Sequence, residues 1–309
     1  MLSKYLKNLS PERMIKLTRL FTGAAVAVTT PFIEGNVDYD SFKKHLTFLK
    51  ENSIQAFVVN GTTGESTTLT RDEKTTLLSL TMEVADKQIP VIAGTGSNNT
   101  AEAIILSQEA EKLGVDGLLV ITPYYNKTSQ KGLLAHFTAI ADAVSIPIIL
   151  YDVPSRTGVT IDPETLEVLA QHPNIVGLKD ATGDLAHLSR LQRVVAASFS
   201  FYSGNDDLAL PFFSLGGHGL ISVLANALPN DYQNMYVASL KQPKLAADIH
   251  RKLFPLVDAL GVDVNPIPIK VLTSHLGFGA YSLRLPLVPL EDDARDVLTE
   301  LFDHTRKDA

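Results

Sequence analysis

The sequence predicts an α/β protein: a (β/α)8 TIM barrel followed by a C-terminal helical extension. Three observations support this prediction. Eight apolar runs resemble strands, helical stretches alternate with them, and the strand signal stops near residue 229. The runs are continuously apolar rather than alternating, which is typical of parallel strands covered on both faces. Eight strand–helix repeats favour a closed barrel, whereas six would favour an open doubly wound sheet.

The predicted strands are Ala24–Val28, Ile54–Val59, Ile89–Ala93, Gly117–Ile121, Ile146–Tyr151, Ile175–Lys179, Phe199–Tyr202 and Gly219–Val223. Between them, Thr70 begins a segment with the form of a capping box, and a helix capped by Asn99 or Thr100 ends at Gly114. Asp162 is the predicted N-cap of a helix between the fifth and sixth strands. Later helices are predicted at Asp231–Leu240, Lys244–Leu260, Ile267–His275 and Glu291–Arg306.

The predicted domain organisation has three parts: a basic extension over 1–20, a catalytic barrel over 21–228 and a helical domain over 229–309. The first segment carries five basic side chains against a single acid, Glu12. A basic amphipathic helix can lie on a membrane or act as a targeting peptide. Because the segment lacks the apolar core of a secretory signal, a loosely packed surface extension is the favoured interpretation.

Composition narrows the classes of function. The 309-residue chain has a formal net charge of −7, which gives no electrostatic support for nucleic-acid binding. It contains no cysteine, so disulfides, thiolate catalysis and cysteine metal sites are excluded, and a reducing cytoplasm fits. No apolar run approaches the roughly 18 residues needed to cross a bilayer. The eight histidines show no ligand-like pairing, so no metal site is predicted.

Two residues at strand ends, Tyr151 and Lys179, form the predicted chemical centre. A strand–loop–helix–strand unit makes their strands parallel, so both side chains lie at C-terminal ends, where barrel enzymes place their active sites. A lone lysine there could simply reach solvent. The nearby Tyr151 and Arg156 favour instead a desolvated lysine that loses its proton and becomes a nucleophilic amine.

The glycine-rich turn Gly61–Ser66 is a candidate anion site. Its backbone N–H groups could hold a phosphate, although no Walker A sequence follows. A carboxylate bound by the hydroxyls of Thr62 and Thr63 is an equally good use, and a plain tight turn is also possible. After the fourth strand, Tyr124 and Tyr125 would ordinarily be core or interface aromatics.

Four stretches resemble the signatures of the 4-hydroxy-tetrahydrodipicolinate synthase (dihydrodipicolinate synthase) family, in the pyruvate-dependent class I aldolase superfamily. They are Gly61–Ser66, Tyr151–Gly158, Gly177–Gly183 and Asn265–Lys270. The resemblance covers residues 21–309. It implies a lyase of lysine and diaminopimelate biosynthesis that condenses pyruvate with L-aspartate 4-semialdehyde. It also implies that no cofactor is used and that the enzyme is a cytoplasmic homotetramer, a dimer of dimers.

The resemblance further implies the catalytic residues. Lys179 forms a Schiff base with the keto carbon of pyruvate. The hydroxyls of Thr62, Tyr151 and Tyr125 relay protons, and Tyr125 is supplied by the neighbouring subunit of a tight dimer. Hydroxyl groups are both donors and acceptors, so they can move protons without burying a fixed charge.

Substrate-binding roles are implied in the same way. Thr63 helps to hold the pyruvate carboxylate, and Arg156 receives the carboxylate of the second substrate. An arginine suits that role because its planar fork matches a carboxylate. Gly204 and Ile221 line the pocket through their backbone.

A possible regulatory site is implied at the tight-dimer interface, where lysine-inhibited relatives bind lysine. Its residues match Asn98, Glu102 and Tyr124 here. On the neighbouring helix, Arg71 and Lys74 replace the histidines of inhibited bacterial relatives. An arginine and an exposed lysine stay charged at pH 7 and repel a ligand ammonium. Weak or absent lysine inhibition is therefore predicted, unless both side chains swing into solvent.

Asp152 and Asp180 depart from the family, which usually has Asn and commonly Glu at these positions. Altered hydrogen bonding near the rim is expected, with no change of reaction. The alternative function is that of a sister class I pyruvate lyase such as N-acetylneuraminate lyase, but Arg156 and Thr63 favour the synthase. A non-catalytic barrel that binds a keto acid would lack the full set of relay hydroxyls.

Overall fold

The computed structural model of the chain describes residues 19–307, and its centre is a closed barrel of eight parallel strands. The strands, β1 to β8 in chain order, are Gly23–Ala27, Ala56–Val59, Val91–Gly94, Gly117–Ile121, Ile148–Asp152, Ile175–Asp180, Ser200–Ser203 and Gly219–Ser222. Each strand pairs with the next, and β8 pairs with β1 to close the barrel. The predicted fold class and all eight predicted strands are confirmed.

Twelve α-helices surround or follow the barrel within residues 19–307. Helices α1 to α12 are Tyr39–Glu51, Arg71–Ala85, Thr100–Leu113, Gln130–Asp142, Pro154–Thr157, Pro163–Leu169, Leu185–Gln192, Ala209–Ser214, Pro229–Lys241, Pro243–Ala259, Ile267–His275 and Asp292–Lys307. A short hairpin that the sequence did not predict, Phe32–Ile33 with Asn36–Val37, follows β1.

The local helix signals in the sequence act largely as predicted. Thr70 and Glu73 form a capping box at α2, in which each side chain bonds to the other residue's backbone N–H. Asn99 caps α3, and Gly114 ends it with a left-handed φ of 87°. Asp162 stands at the N-cap of α6, but its side chain makes no capping hydrogen bond.

Helix α9 packs directly on the barrel. It lies against β1, where the side chain of Gln233 accepts a hydrogen bond from the backbone N–H of Ala24 at 2.9 Å. Helix α9 thereby completes the outer ring between β8 and β1, while α10 and α12 pack further out. We propose that the extension proper begins at Pro243, one helix after the predicted boundary at 229.

The predicted basic extension over residues 1–20 lies outside the described residues except for its last two. Arg19 donates a hydrogen bond to the carbonyl of Ala197 at 3.2 Å. Within residues 19–307, no helix is both long enough and apolar enough to cross a membrane.

The barrel interior is packed at its N-terminal end. The ring of Phe21 stacks on Tyr202 at 4.2 Å, and the Tyr202 hydroxyl donates to the carbonyl of Phe21. Ala25, Ile149 and Tyr151 continue this inner cluster along the barrel axis. Since this end is closed by side chains, space for a ligand remains at the C-terminal end of the strands.

Candidate active site

A cleft of about 480 Å³ opens at the C-terminal ends of the barrel strands. Loops that follow the strands line it together with part of the C-terminal extension. The predicted site residues that line it are Thr62, Thr63, Lys74, Tyr124, Tyr151, Arg156, Lys179 and Gly204. The closure of the barrel therefore brings together residues at or just after the C-terminal ends of β2, β4, β5, β6 and β7.

Lys179 and Tyr151 meet at the floor of this cleft. They are direct neighbours on the paired strands β6 and β5, and the Nζ atom of Lys179 lies 4.2 Å from the centroid of the Tyr151 ring. Burial lowers the pKa of Lys179 to about 8, and the negative charge of Asp206 opposes that shift. Burial also raises the pKa of Tyr151 to about 12, so its hydroxyl keeps its proton. The pair is an amine that loses its proton readily beside a neutral phenol.

Gly204 leaves room for the lysine side chain. A Cβ atom at this position would lie 3.0 Å from Cε of Lys179 and 2.7 Å from Cβ of Ala181. A side chain at this position would therefore crowd both Ala181 and Lys179, which favours glycine here.

The loop after β2 is held by residues that the sequence did not connect with it. Glu65 adopts a left-handed conformation with φ of 53°, which is uncommon for a residue with a side chain. Its carboxylate accepts from Nζ of Lys270 at 2.5 Å, and both side chains are fully buried. The amide of Asn265 donates to Oγ1 of Thr63 at 3.0 Å. The resemblance of Asn265–Lys270 to a family signature was visible, but nothing local indicated these contacts.

Arg156 lies at the mouth of the cleft, on the single-turn helix α5. One guanidinium nitrogen, Nη2, donates to the carbonyl of Asn265 at 3.1 Å. This contact fixes the guanidinium beside the cleft while other N–H groups of its fork stay available to a carboxylate.

Two of the predicted catalytic and substrate-binding residues lie away from the cleft of their own chain. Tyr125 is 90% exposed, and its φ of 72° is in the left-handed region, which is strained for an aromatic residue. Ile221 is fully buried on β8, in the inner cluster that contains Tyr151. Their predicted roles stay predictions.

The possible regulatory residues come from α2, from α3 and from the loops that follow β3 and β4. Arg71 donates two hydrogen bonds to the carboxylate of Glu102, at 2.8 and 2.9 Å. Asn98 accepts a hydrogen bond from Asn126 through its backbone carbonyl. Lys74 is half-buried and lines the cleft, so the expectation of an exposed lysine was wrong; burial lowers the pKa of its amine.

The two departures from the family are buried carboxyl groups. Asp152 and Asp180 are neighbours on β5 and β6, directly after Tyr151 and Lys179. Asp152 accepts from the backbone N–H of Ile161 at 2.9 Å, but its other oxygen is buried without a hydrogen-bond partner. Burial raises the pKa of Asp152 to about 7 and also raises that of Asp180. Both carboxyl groups are buried, and the expected change in hydrogen bonding relative to the family stays a prediction.

Metal ligation finds no support in the described part of the chain. No group of three or more His, Asp or Glu side chains there is arranged to hold a metal ion. The absence of a metal or cofactor stays a prediction from the sequence.

Solved structures of other proteins match this chain over nearly its whole length. Dihydrodipicolinate synthase from Thermotoga maritima is 38% identical, with a TM-score of 0.91 over 93% of this chain and 99% of its own. The 4-hydroxy-tetrahydrodipicolinate synthase from Methylacidiphilum fumariolicum SolV is 42% identical, with a TM-score of 0.90 over 93% and 96%. The enzyme from Cyanidioschyzon merolae, solved with lysine bound, is 40% identical, with a TM-score of 0.90 over 94% and 99%.

These three relatives are synthases, which confirms the predictions of a synthase, of a lyase and of a place in lysine and diaminopimelate biosynthesis. They favour the synthase function over the alternative function of an N-acetylneuraminate lyase. The model of the dihydrodipicolinate synthetase family also matches residues 20–305, which is most of the chain. The chain therefore belongs to the dihydrodipicolinate synthetase family.

Proposed function

We propose that this cleft condenses pyruvate with L-aspartate 4-semialdehyde through a Schiff base on Lys179. The observation that carries the proposal is the buried amine of Lys179, with a pKa lowered to about 8, over the ring of Tyr151. At pH 7 roughly a tenth of such an amine is neutral, far more than for an exposed lysine with a pKa near 10.4. A neutral amine attacks the keto carbon of pyruvate, and loss of water leaves an iminium.

The iminium acts as an electron sink for the next step. It withdraws electrons from the pyruvate methyl group, which loses a proton and becomes a nucleophilic enamine. The enamine attacks the aldehyde carbon of the second substrate. The amine of that substrate then displaces Lys179 and closes the ring. Thr62 and Tyr151 border the cleft where protons must move, and their hydroxyls relay them.

Two groups receive the substrate carboxylates. Thr63 lines the same cleft as Lys179 and binds the carboxylate of pyruvate. Arg156 lies at the mouth and binds the carboxylate of L-aspartate 4-semialdehyde with the free part of its fork. With pyruvate held at the floor and the aldehyde at the mouth, the enamine carbon faces its electrophile.

A second subunit completes the relay in this proposal. Tyr125 projects from its own chain with 90% of its surface exposed and a strained backbone, which supports insertion into a neighbouring cleft. The proposed assembly is a homotetramer built as a dimer of dimers, and the proposed compartment is the cytoplasm. No cofactor beyond the covalent lysine is proposed.

Borohydride reduction in the presence of pyruvate tests the nucleophile. The expected result is one pyruvate adduct per chain, mapped by mass spectrometry to Lys179. Lys270 provides an internal control, because burial lowers its pKa to about 8 as well, but it is paired with Glu65. An adduct on Lys270, or no adduct at all, would contradict the proposal.

A further inference from the structure

The segment Asn265–Lys270 has no part in the proposed chemistry. Its first residue nevertheless contacts both residues that are proposed to bind the substrate carboxylates. Asn265 belongs to the C-terminal part of the chain, 202 residues from Thr63. Its side-chain Nδ2 donates to Oγ1 of Thr63 at 3.0 Å, and its backbone carbonyl accepts from Nη2 of Arg156 at 3.1 Å. One residue outside the barrel thus joins the two ends of the cleft.

A buried ion pair holds Asn265 against the loop after β2. Nζ of Lys270 lies 2.5 Å from Oε1 of Glu65, and the two side chains are 2% and 1% exposed. The second carboxylate oxygen, Oε2, accepts from the backbone N–H of Arg284 at 3.0 Å. Thr63 and Glu65 share one loop, while Asn265 and Lys270 share one segment. The ion pair therefore keeps the Asn265 amide within hydrogen-bonding distance of the Thr63 hydroxyl.

The direction of the Asn265 hydrogen bond determines what Thr63 does. A threonine hydroxyl has one hydrogen to donate and two lone pairs to accept with. An amide N–H that donates to Oγ1 occupies a lone pair and leaves the hydroxyl hydrogen for another acceptor. The amide oxygen of Asn265 is buried and takes no hydrogen bond within the described residues. The hydroxyl hydrogen of Thr63 is therefore directed elsewhere.

We infer that Asn265 is a positioning residue that orients the Thr63 hydroxyl as a donor to the carboxylate of pyruvate. The inference rests on the proposed function, because it takes pyruvate as the ligand of the cleft. Without the amide, the hydroxyl rotates and presents a lone pair to the carboxylate in some of its orientations. Loss of Asn265 therefore weakens pyruvate binding while the chemistry at Lys179 keeps its limiting rate.

A double-mutant cycle tests whether Asn265 acts through Thr63. The variants are Asn265→Ala, Thr63→Val and the double change, and the readout is the pyruvate dependence of borohydride trapping on Lys179. Each single change should raise the half-saturating pyruvate concentration roughly fivefold or more, with the rate at saturation unchanged. The double variant should match Thr63→Val alone, because the amide has no hydroxyl left to orient.

Asn230→Ala is the matched control. Asn230 also donates through Nδ2 to a side-chain oxygen, Oδ1 of Asn52 at 2.8 Å, but on the exposed surface. This variant should leave the trapping curve unchanged. An unchanged curve in Asn265→Ala, or multiplied effects in the double variant, would overturn the inference. Absence of an adduct in the unaltered protein would instead overturn the proposed function.

The isosteric change Asn265→Asp gives a second measurement if the alanine variant fails to fold. Its carboxylate would accept the Thr63 hydrogen, so the hydroxyl would turn a lone pair towards pyruvate. The half-saturating pyruvate concentration should then rise more than tenfold, since one favourable hydrogen bond to a charged group becomes a repulsion. A rise below threefold would contradict the inferred orientation.

Discussion

The amine of Lys179 lies 4.2 Å from the centroid of the Tyr151 ring, and the two residues occupy paired positions on adjacent parallel strands. Parallel pairing at this register places both side chains at the same height inside the barrel. Burial lowers the pKa of the amine and raises the pKa of the phenol, because it favours the neutral form of each group. At pH 7 Tyr151 therefore keeps its proton, while roughly a tenth of Lys179 is neutral and able to attack a carbonyl carbon.

The rate of trapping on Lys179 should depend on pH. The neutral amine is the reactive form, so the rate should rise about tenfold per unit from pH 6 and level off above about 8, where burial places the pKa. Initial rates of adduct formation at fixed pyruvate would show this profile. Asp206→Asn removes a charge that favours the protonated amine, so the inflection should move to lower pH. A flat profile between pH 6 and 8 would contradict the assignment.

Arg156→Ala should weaken the second substrate far more than pyruvate. Loss of a charge-assisted, bidentate contact between an arginine and a carboxylate costs on the order of 2–4 kcal/mol in transition-state binding. Steady-state kinetics with each substrate varied in turn would measure the difference. Arg190→Ala is a suitable control because Arg190 forms an exposed ion pair with Asp184. Equal losses for both substrates would count against the role of Arg156.

Mixed dimers should reveal whether Tyr125 serves a neighbouring cleft. A Tyr125→Phe chain and a Lys179→Ala chain should each be nearly inactive, because the first lacks a relay hydroxyl and the second lacks the nucleophile. A mixed dimer holds one site with both parts intact, so co-refolding should recover part of the activity. Activity and native mass spectrometry on the same mixture would decide. Hybrid dimers without activity would place Tyr125 in its own site or outside catalysis.

Asp152→Asn should stabilise the fold more at pH 8 than at pH 5, and least below about pH 4. Burial raises the pKa of Asp152 from 3.8 to about 7, so the folded state keeps a proton that the unfolded state loses. Stability therefore falls as pH rises from about 4 to 7, by up to about 4 kcal/mol. Thermal unfolding at both pH values would measure it, with the exposed Asp296→Asn as control. Equal shifts at pH 5 and 8 would show that the carboxyl does not titrate there.

Lysine should inhibit this enzyme weakly or not at all. Arg71 already occupies the carboxylate of Glu102 with two hydrogen bonds, and the amine of Lys74, whose pKa is lowered by burial, lies close enough to interact with the same carboxylate. Like charge within about 4 Å of a ligand ammonium costs roughly 1–4 kcal/mol, depending on the local dielectric. Lys74→His should strengthen inhibition, whereas Lys112→His on the exposed face of α3 should not. Strong inhibition of the unaltered enzyme at lysine concentrations below about 1 mM would overturn this prediction.

Local patterns were enough to predict the barrel and the position of the proposed nucleophile, Lys179. Apolar runs of strand length repeat along the chain, and Lys179 follows one of them directly, so its place at a strand end needed no long-range contact. The capping box of Thr70 and Glu73 was predictable for the same reason, since its two partners are three residues apart. Lys74 was mistaken for an exposed residue because its burial depends on the loops that surround the cleft.

The sequence by itself determined the elements, their order and the family resemblance, because those signals lie within a few turns of chain. Only the tertiary structure decided which distant residues support the site. The contacts of Asn265 with Thr63 and of Lys270 with Glu65 span 202 and 205 residues, and each depends on the closed barrel and on the packing of the C-terminal helices. Hydrogen bonds at 3 Å require that closure, and no local pattern in the sequence encodes it.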